Sequence, residues 1–312
     1  MNNINNPEVP PLGGGGRTVI IIVGPTASGK TALSLQLAQY LNTSIISADS
    51  RQCYRELNIG VAKPGDEELN RVKHYFINSH SIIDNVTAQT FEQYALQAAY
   101  EIFEANLFAV AVGGTGLYIK AFCEGLDEIP AINSAVRESI IAQYSTGGID
   151  WLQQQVMIND PAYWQTGEQQ NPHRLIRALE VKFGTGQSIT SFHKKQPVHR
   201  PFNIIKLGID LPRNQLYDNI NNRVDDMARR GLVDEVRSLT NFRHLNALQT
   251  VGYKEFFDFF DGKLSVDNAI NAVKTNTRHY AKRQLTWFRK DPSIIWKPAF
   301  SMDFIKSITK NR

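Results

Sequence analysis

The sequence predicts an α/β fold: a parallel sheet flanked by helices, interrupted by a mostly helical insertion. Three observations carry this. Short apolar runs at Thr18 to Val23, Ser44 to Ala48, Leu107 to Val112 and Phe202 to Leu207 alternate with stretches of helical period, the pattern of a parallel sheet. The first run leads directly into Gly24-Pro-Thr-Ala-Ser-Gly-Lys-Thr31 and then into a helix. From Gly125 to about Arg200 the alternation stops, and Gln, Trp and Tyr become frequent. The expected organisation is a tail over 1–16, an α/β core from 17–124 and 201–312, and an insertion over 125–200.

Gly24 to Thr31 matches G-x-x-x-x-G-K-[ST], the phosphate-binding loop, so the sheet is expected to be P-loop NTPase-like. Its glycines let backbone N–H groups converge on phosphate oxygens, and the helix N-terminus adds partial positive charge. Pro25, Thr26, Ala27 and Ser28 complete the loop between Gly24 and Gly29. Lys30 is placed to reach terminal phosphates and Thr31 to hold Mg²⁺. The loop binds a di- or triphosphate without saying which.

Composition narrows the class. The chain has 312 residues, 42% of them hydrophobic, enough for a substantial core. No apolar stretch approaches the ~20 residues of a membrane span. Cys53 and Cys123 make neither a disulfide framework nor a zinc pattern, and the start shows no signal-peptide pattern. A reducing cytoplasm is the expected setting. The net charge of +4 is mild, so the placement of basic residues matters more than their sum.

Along the chain, Asn, Pro and four glycines make the start a flexible tail. The second strand ends on Asp49, and an acid at a strand's carboxyl end faces the ligand crevice. Asp49 is a water-mediated Mg²⁺ ligand, a general base or a helix N-cap. Val61 to Gly65 is a turn and Thr90 to Ala105 a helix. The strand ending at Val112 carries no acid at its tip, unlike many phosphate-loop ATPases. Gly113-Gly-Thr-Gly116 follows it. Thr115 is either an N-cap or a hydroxyl aimed into the crevice.

Within the insertion, Val136 to Tyr144 and Pro172 to Phe183 are expected to be helical, with Asn171 as cap and Pro172 at the first position. His173, Arg174 and Arg177 share a basic face. Thr185 to Arg200 is a polar, basic return. Beyond the strand at Phe202, a long helix begins at Leu211 to Arg213. Its apolar face holds Leu216, Ile220, Val224 and Met227, and Arg223 beside it either flanks the core or enters the crevice. Helix continues over Leu232 to Val236. Gln249 to Lys254 is a loop entering a Phe-rich helix, Glu255 to Phe260. Val266 to Lys290 is a long helix ending in Lys and Arg interleaved with Tyr280, Trp287 and Phe288. That composition suits a nucleic-acid face and equally an amphipathic core helix. Ser293 to Trp296 is the last expected strand.

Taken together, these segments resemble the tRNA dimethylallyltransferase (isopentenyltransferase) family. Besides the phosphate loop, the matching stretches are Ala48-Asp-Ser-Arg-Gln52 with Tyr54, Ile59-Gly-Val-Ala-Lys-Pro64 and Val112-Gly-Gly-Thr-Gly-Leu-Tyr118. Further on come Asn171-Pro-His-Arg174 with Arg177-Ala-Leu-Glu180, Val251-Gly-Tyr253 and Ala281-Lys-Arg-Gln-Leu-Thr-Trp287. They span about residue 18 to 296, and the absence of a Cys/His zinc module gives the chain the look of the short bacterial type.

The resemblance implies transfer of a dimethylallyl group from dimethylallyl diphosphate to N6 of adenosine 37 in tRNAs reading codons that begin with U. It implies Asp49 as general base, Thr115 as its support, and a phosphate loop that holds diphosphate with Mg²⁺ rather than a nucleoside triphosphate. Arg223 and Arg283 are candidates for the diphosphate's charge. The insertion would grip the anticodon stem-loop, with the adenosine flipped into a channel between the two parts. Candidate tRNA contacts are Arg137, His173, Arg174 and Arg177, the loop Gln249, Thr250, Val251, Gly252, Tyr253 and Lys254, and the helix at Lys282 and Arg283. Ser50, Arg51 and Gln52, beside the base, are expected near the adenine and its neighbours. A cytoplasmic monomer is implied. The alternatives are an adenylate prenyltransferase making a cytokinin, or a nucleoside kinase in which Asp49 serves Mg²⁺.

Overall fold

A computed structural model describes residues 16–193 and 196–309. The tail expected over 1–16 lies outside the described residues but for Gly16, and so do Lys194 and Lys195 of the basic return. The first half of the core runs β1 (Thr18–Val23), α1 (Lys30–Tyr40), β2 (Ile45–Ser47), α2 (Asp66–Arg71), β3 (His74–Tyr75), α3 (Ala88–Ala105), β4 (Phe108–Val112) and α4 (Gly116–Glu124). Three helices follow, α5 (Ser134–Asn159), α6 (Pro161–Thr166) and α7 (Pro172–Thr185). The core then resumes as β5 (Asn203–Ile209), α8 (Arg213–Arg229), α9 (Leu232–Ser238), α10 (Lys254–Phe260), α11 (Val266–Phe288), β6 (Ile294–Lys297) and α12 (Met302–Thr309).

The described strands form one sheet in the order β3-β2-β4-β1-β5-β6, with every pair parallel. All six residues of β1 are buried. Val19, Ile21 and Val23 enter the core on one face, whereas Ile20 and Ile22 enter the core on the other. Burial on both faces is why this strand reads as an unbroken β-branched run rather than an alternating one. The first face carries α3, α4, α9, α10 and α11; the second carries α1 and α12.

Local chemistry sets the element ends. Thr87 caps α3 by accepting from Thr90 N at 3.1 Å, and Thr90 Oγ1 accepts from Thr87 N at 3.2 Å. Gly231, at φ 95°, ends α8 and starts α9, so the continuous helix expected there is broken in two. The sequence pattern predicts none of the short elements α2, β3, α6 and α12.

The chain divides into two compact units, Met1–Glu124 with His199–Arg312, and Gly125–Val198. The second boundary falls just before the expected 200. Arg200 belongs to the first unit, its guanidinium donating to Phe122 O at 2.8 Å and Ala121 O at 2.8 Å and pairing with Glu92 at 2.5 Å. The second unit has its own core of Ile140, Leu152, Val156, Tyr163, Leu175 and Leu179. Its first helix is much longer than Val136 to Tyr144, running to Asn159 through a kink at Gly148 (φ 67°). Asn171 caps α7 through His173 N at 3.1 Å, with Pro172 at the first turn.

Candidate active site

Three loops leave the carboxyl ends of β1, β2 and β4 and meet over the sheet, where open α/β folds bind ligands. The first is Gly24 to Gly29. Gly24 (φ 143°), Ala27 (φ 62°) and Gly29 (φ 90°) turn the backbone through the left-handed region. At Gly24 a Cβ would come within 3.0 Å of Ile209 O, so glycine is required there on two counts. Ala27 lacks that freedom and is held by Asn219, whose Nδ2 donates to Ala27 O at 3.2 Å. One turn along α8, Arg223 Nη1 donates to Thr26 Oγ1 at 3.1 Å. Helix α8 therefore braces the loop at two successive residues.

Inside the loop, Lys30 Nζ folds back to Pro25 O at 2.5 Å. Burial pulls its amine down to about 7, with the nearby Arg223 charge adding and the Asp49 charge opposing. Ser28 Oγ is buried without a hydrogen-bond partner among the described residues. An orphaned hydroxyl of that kind costs about 1–3 kcal/mol, and a phosphate oxygen would satisfy it. The Thr31 hydroxyl has no hydrogen-bond partner among the described residues, and the residue lines the cavity beside Lys30.

The second loop opens with Asp49. One carboxylate oxygen, Oδ1, accepts from Arg51 N at 2.9 Å and from Gln52 N at 3.4 Å. Capping the turn thus occupies one oxygen. The residue also lines the cavity, leaving Oδ2 without a hydrogen-bond partner among the described residues. The capping reading and the chemical readings of Asp49 are compatible.

The third loop is Gly113 to Gly116. A Cβ on Gly113 would lie 2.1 Å from Ala48 O, one on Gly114 2.0 Å from Gln284 Nε2, and one on Gly116 2.2 Å from Trp287 Cδ1. Each glycine is a notch for a named neighbour. Thr115, among them, accepts from Ser50 N at 3.0 Å, which fastens the Gly-Gly-Thr turn to the loop carrying Asp49. The Thr115 hydroxyl thus bonds the neighbouring loop, and Thr115 is not among the residues that line the cavity.

Thr26, Lys30, Thr31, Asp49, Gly113, Gly114 and Arg223 line one cavity together with Val61, Ala62, Pro64, Ile77, Val112, Tyr280 and Gln284. Cationic and carboxylate groups thus face the same space as an apolar wall. Arg223 enters the crevice rather than flanking the core, and burial pulls the pKa of its guanidinium below the usual range. Burial pushes the Tyr280 hydroxyl up to about 12; the Asp49 charge adds to this, while Arg51, the Thr115 hydroxyl and Arg283 oppose it.

Several sequence candidates sit elsewhere. Arg283 is exposed, lies over the Tyr280 ring at 5.7 Å and does not line the cavity. Tyr280, Arg283, Gln284 and Trp287 follow one stripe of α11, but Arg283 lies at its exposed edge, over the Tyr280 ring. Gln52, by contrast, does line the cavity, with its amide held by donating to Val61 O at 3.3 Å and Ala62 O at 3.2 Å and accepting from Ser47 Oγ at 3.2 Å.

In the loop from Gln249 to Lys254, Gly252 and Tyr253 are buried, and Gln249 donates to Arg243 O at 2.5 Å. Tyr253 instead clamps another loop. Its ring fills the space a Cβ of Gly60 would need, 2.6 Å away, and Glu235 accepts the N–H groups of Asn58, Ile59 and Gly60 at 3.2, 2.7 and 3.0 Å. That clamp holds Val61 to Pro64 as a cavity wall.

In the second unit, Arg137 and Arg177 both pair with the buried Glu180, at 2.9 and 3.1 Å. His173 and Arg174 are exposed at the start of α7.

Sequence reasoning missed Asn219, Glu235, Tyr280 and Gln284 as site residues. Only the last two left a signal: the helical spacing that places them on one face with Trp287.

The family profile described as IPP transferase matches residues 52–291. The chain belongs to the IPP transferase family. Among its relatives, a protein of Christiangramia forsetii named tRNA dimethylallyltransferase is 49% identical over 89% of this chain and 92% of its own length. One of Bacteroides thetaiotaomicron, named tRNA dimethylallyltransferase 1, is 43% identical over 89% and 91%. The crystal structure of the full-length tRNA isopentenylpyrophosphate transferase of Bacillus halodurans matches with a TM-score of 0.68 and 35% identity, over 94% of this chain and 95% of that one. The IPP transferase match takes in the Gly-Gly-Thr turn, Arg223 and the Lys-Arg-Gln stretch, and the phosphate loop precedes it.

Proposed function

We propose that the chain transfers a dimethylallyl group from dimethylallyl diphosphate to N6 of adenosine 37 in the anticodon loop of tRNAs reading codons that begin with U, releasing diphosphate. The observation that carries this is the placement of the Asp49 carboxylate in one cavity with Lys30, Arg223 and an apolar wall. The names of the relatives support it, as does the strand tip after Val112, where Gly113 stands in place of an acid.

The exocyclic amine of adenine is a weak nucleophile because its lone pair is delocalised into the ring. As N6 forms its bond to C1 of the allyl group, the C1–O bond breaks and its electron pair leaves with the diphosphate. The N6 proton passes to Asp49 Oδ2, general-base assistance of typically about 10²–10⁴-fold. Lys30, Arg223, the loop N–H groups and the Ser28 hydroxyl face the charge that develops on the leaving group. Val61, Ala62, Pro64 and Ile77 offer the allyl chain an apolar wall.

Among the described residues, no group of three or more His, Cys, Asp or Glu could hold a metal alone. That suits Mg²⁺, which takes one or two protein oxygens and completes its shell from phosphate and water. The Thr31 hydroxyl is the protein ligand in this reading, and bound Mg²⁺ would neutralise diphosphate charge. His173, Arg174 and the further basic residues of the second unit would meet the tRNA backbone. We place the enzyme in the cytoplasm as a monomer.

The test is transfer of labelled dimethylallyl groups to an anticodon stem-loop and to free AMP, offered side by side. Mg²⁺-dependent label in the stem-loop, lost when adenosine 37 is changed, is expected. Label in AMP alone, or ATP turnover without label, overturns the assignment in favour of a cytokinin-type enzyme or a kinase.

A further inference from the structure

The reaction proposed above needs its two partners held at a fixed separation. The electrophile belongs to the loop Gly24 to Thr31, and the amine to Asp49 and Thr115. These groups arise from the ends of three different strands, and one buried side chain joins the two loops. Gln284, only 6% exposed, accepts from Thr26 N through Oε1 at 2.8 Å and donates from Nε2 to Gly114 O at 2.9 Å. A primary amide is planar and short, so with one edge on each loop it sets their spacing closely. Gly114 has no side chain to keep the amide away; a Cβ there would stand 2.0 Å from Nε2. Three residues further along α11, Trp287 fills the notch at Gly116, so the helix grips the turn on both sides of Thr115.

We propose that Gln284 is a positioning residue for the transfer reaction: by bridging Thr26 and Gly114 it fixes the distance between the diphosphate-holding loop and the Asp49–Thr115 side of the site. The inference rests on the reaction proposed above. It assigns Gln284 no contact with the reacting atoms. Its contribution is alignment, and misplacement of bound reactants by about 1 Å can slow a reaction on the order of 10²-fold.

The experiment compares wild type with Gln284→Leu and Gln284→Asn. The first removes both hydrogen bonds at similar size. The second keeps the amide but shortens its reach by one methylene, so it cannot span both loops. Single-turnover transfer to an anticodon stem-loop is measured with both substrates saturating. Dissociation constants are measured for dimethylallyl diphosphate alone and for the stem-loop alone. Both variants are expected to be slower by about 30- to 100-fold at saturation, with each dissociation constant within about threefold of wild type.

A saturating rate within about threefold of wild type for Gln284→Asn overturns the proposal, since amide chemistry without the right length would then suffice. A loss that appears mainly in the affinity for either substrate also overturns it, making Gln284 a ligand contact. If Gln284→Leu does not fold, Gln284→Asn decides alone. A wild-type protein that transfers nothing to the stem-loop overturns the underlying reaction and this inference with it; an active wild type whose Gln284→Asn variant keeps its rate overturns only the inference.

Discussion

Tyr253 donates its hydroxyl to Glu235 Oε1 at 2.7 Å, closing a knot that also holds three consecutive backbone N–H groups. Burial, with the adjacent Glu235 charge, pushes the phenol well above its ordinary range, so it remains a donor at working pH. Tyr253→Phe leaves Glu235 one bond short and is expected to cost about 1.5–3 kcal/mol. Gly60→Ala drives a methyl into the same ring and should cost about 1–3 kcal/mol. Urea denaturation measures both, and a shift near zero for either would show that the wall behind the cavity is held by other means.

In the proposed reaction Asp49 has two separable duties. Asp49→Asn keeps an acceptor for Arg51 N and Gln52 N but cannot take a proton at neutral pH. Its transfer rate is expected to fall by about 10²–10⁴-fold with stem-loop affinity retained. Asp49→Ala should show the same loss and, in addition, about 1 kcal/mol of lost stability from the missing cap. A variant that keeps its rate and loses stem-loop binding would remove Asp49 from the base role.

The two arginines offered by the sequence for diphosphate part company in the structure. Arg223 lines the cavity and bonds Thr26, whereas Arg283 is exposed over Tyr280. Arg223→Ala is expected to weaken diphosphate binding and slow transfer, by about 1.5–3 kcal/mol for a charged hydrogen-bonding group. Arg283→Ala should leave diphosphate affinity unchanged. Calorimetric titration with diphosphate separates them, and equal losses would contradict the cavity as described.

Burial draws the Lys63 amine down to about 8, although it donates to Tyr54 O at 2.7 Å, Asn58 Oδ1 at 3.1 Å and Asn78 Oδ1 at 2.6 Å. With the folded value below the unfolded one, the unfolded chain binds more protons between about pH 8 and pH 10.5. Its contribution to stability therefore rises with pH across that window and is lowest below it. The stability of wild type minus that of Lys63→Met should increase between about pH 7.5 and pH 10. Denaturation midpoints at the two pH values check the sign; a flat or falling difference contradicts it.

On the second unit, Glu180 occupies Arg137 and Arg177, but Arg174 is exposed and in no ion pair among the described residues. Arg174→Ala should weaken stem-loop binding and flatten the slope of log K against log salt by about 0.7–0.9. Glu180→Gln should strengthen binding by releasing two guanidinium groups from their partner. Binding isotherms over a salt series test both, and an unchanged slope for Arg174→Ala would take that residue off the RNA path.

Contiguous features were legible in the sequence. The turn Gly24 to Thr31, the strand before it and the Asn171–Pro172 helix start each lie within a few residues, where pattern and local hydrogen bonding coincide. Tyr253 was read as part of an RNA-facing loop because its partners, Glu235 and Gly60, are distant in sequence. Arg283 stands out by its charge, whereas the residue of that stretch that lines the cavity is its uncharged neighbour Gln284. A polar side chain buried by contact with two remote loops looks, in one dimension, like any surface glutamine. The kink at Gly148 hid the second half of α5 in the same way, since a phase change there breaks the helical period.

The bond from Thr26 to Gln284 spans 258 residues of chain. At typical synthesis rates a ribosome needs about 10–50 s to cover that length. Throughout that interval the phosphate loop exists without the amide that braces it, and the Gly-Gly-Thr turn without its grip. The unit Gly125–Val198, with a core of its own, can fold meanwhile. The order of manufacture thus leaves the reactive centre unassembled until α11 emerges, and a chain cut short before that helix would carry the phosphate motif but not the finished site.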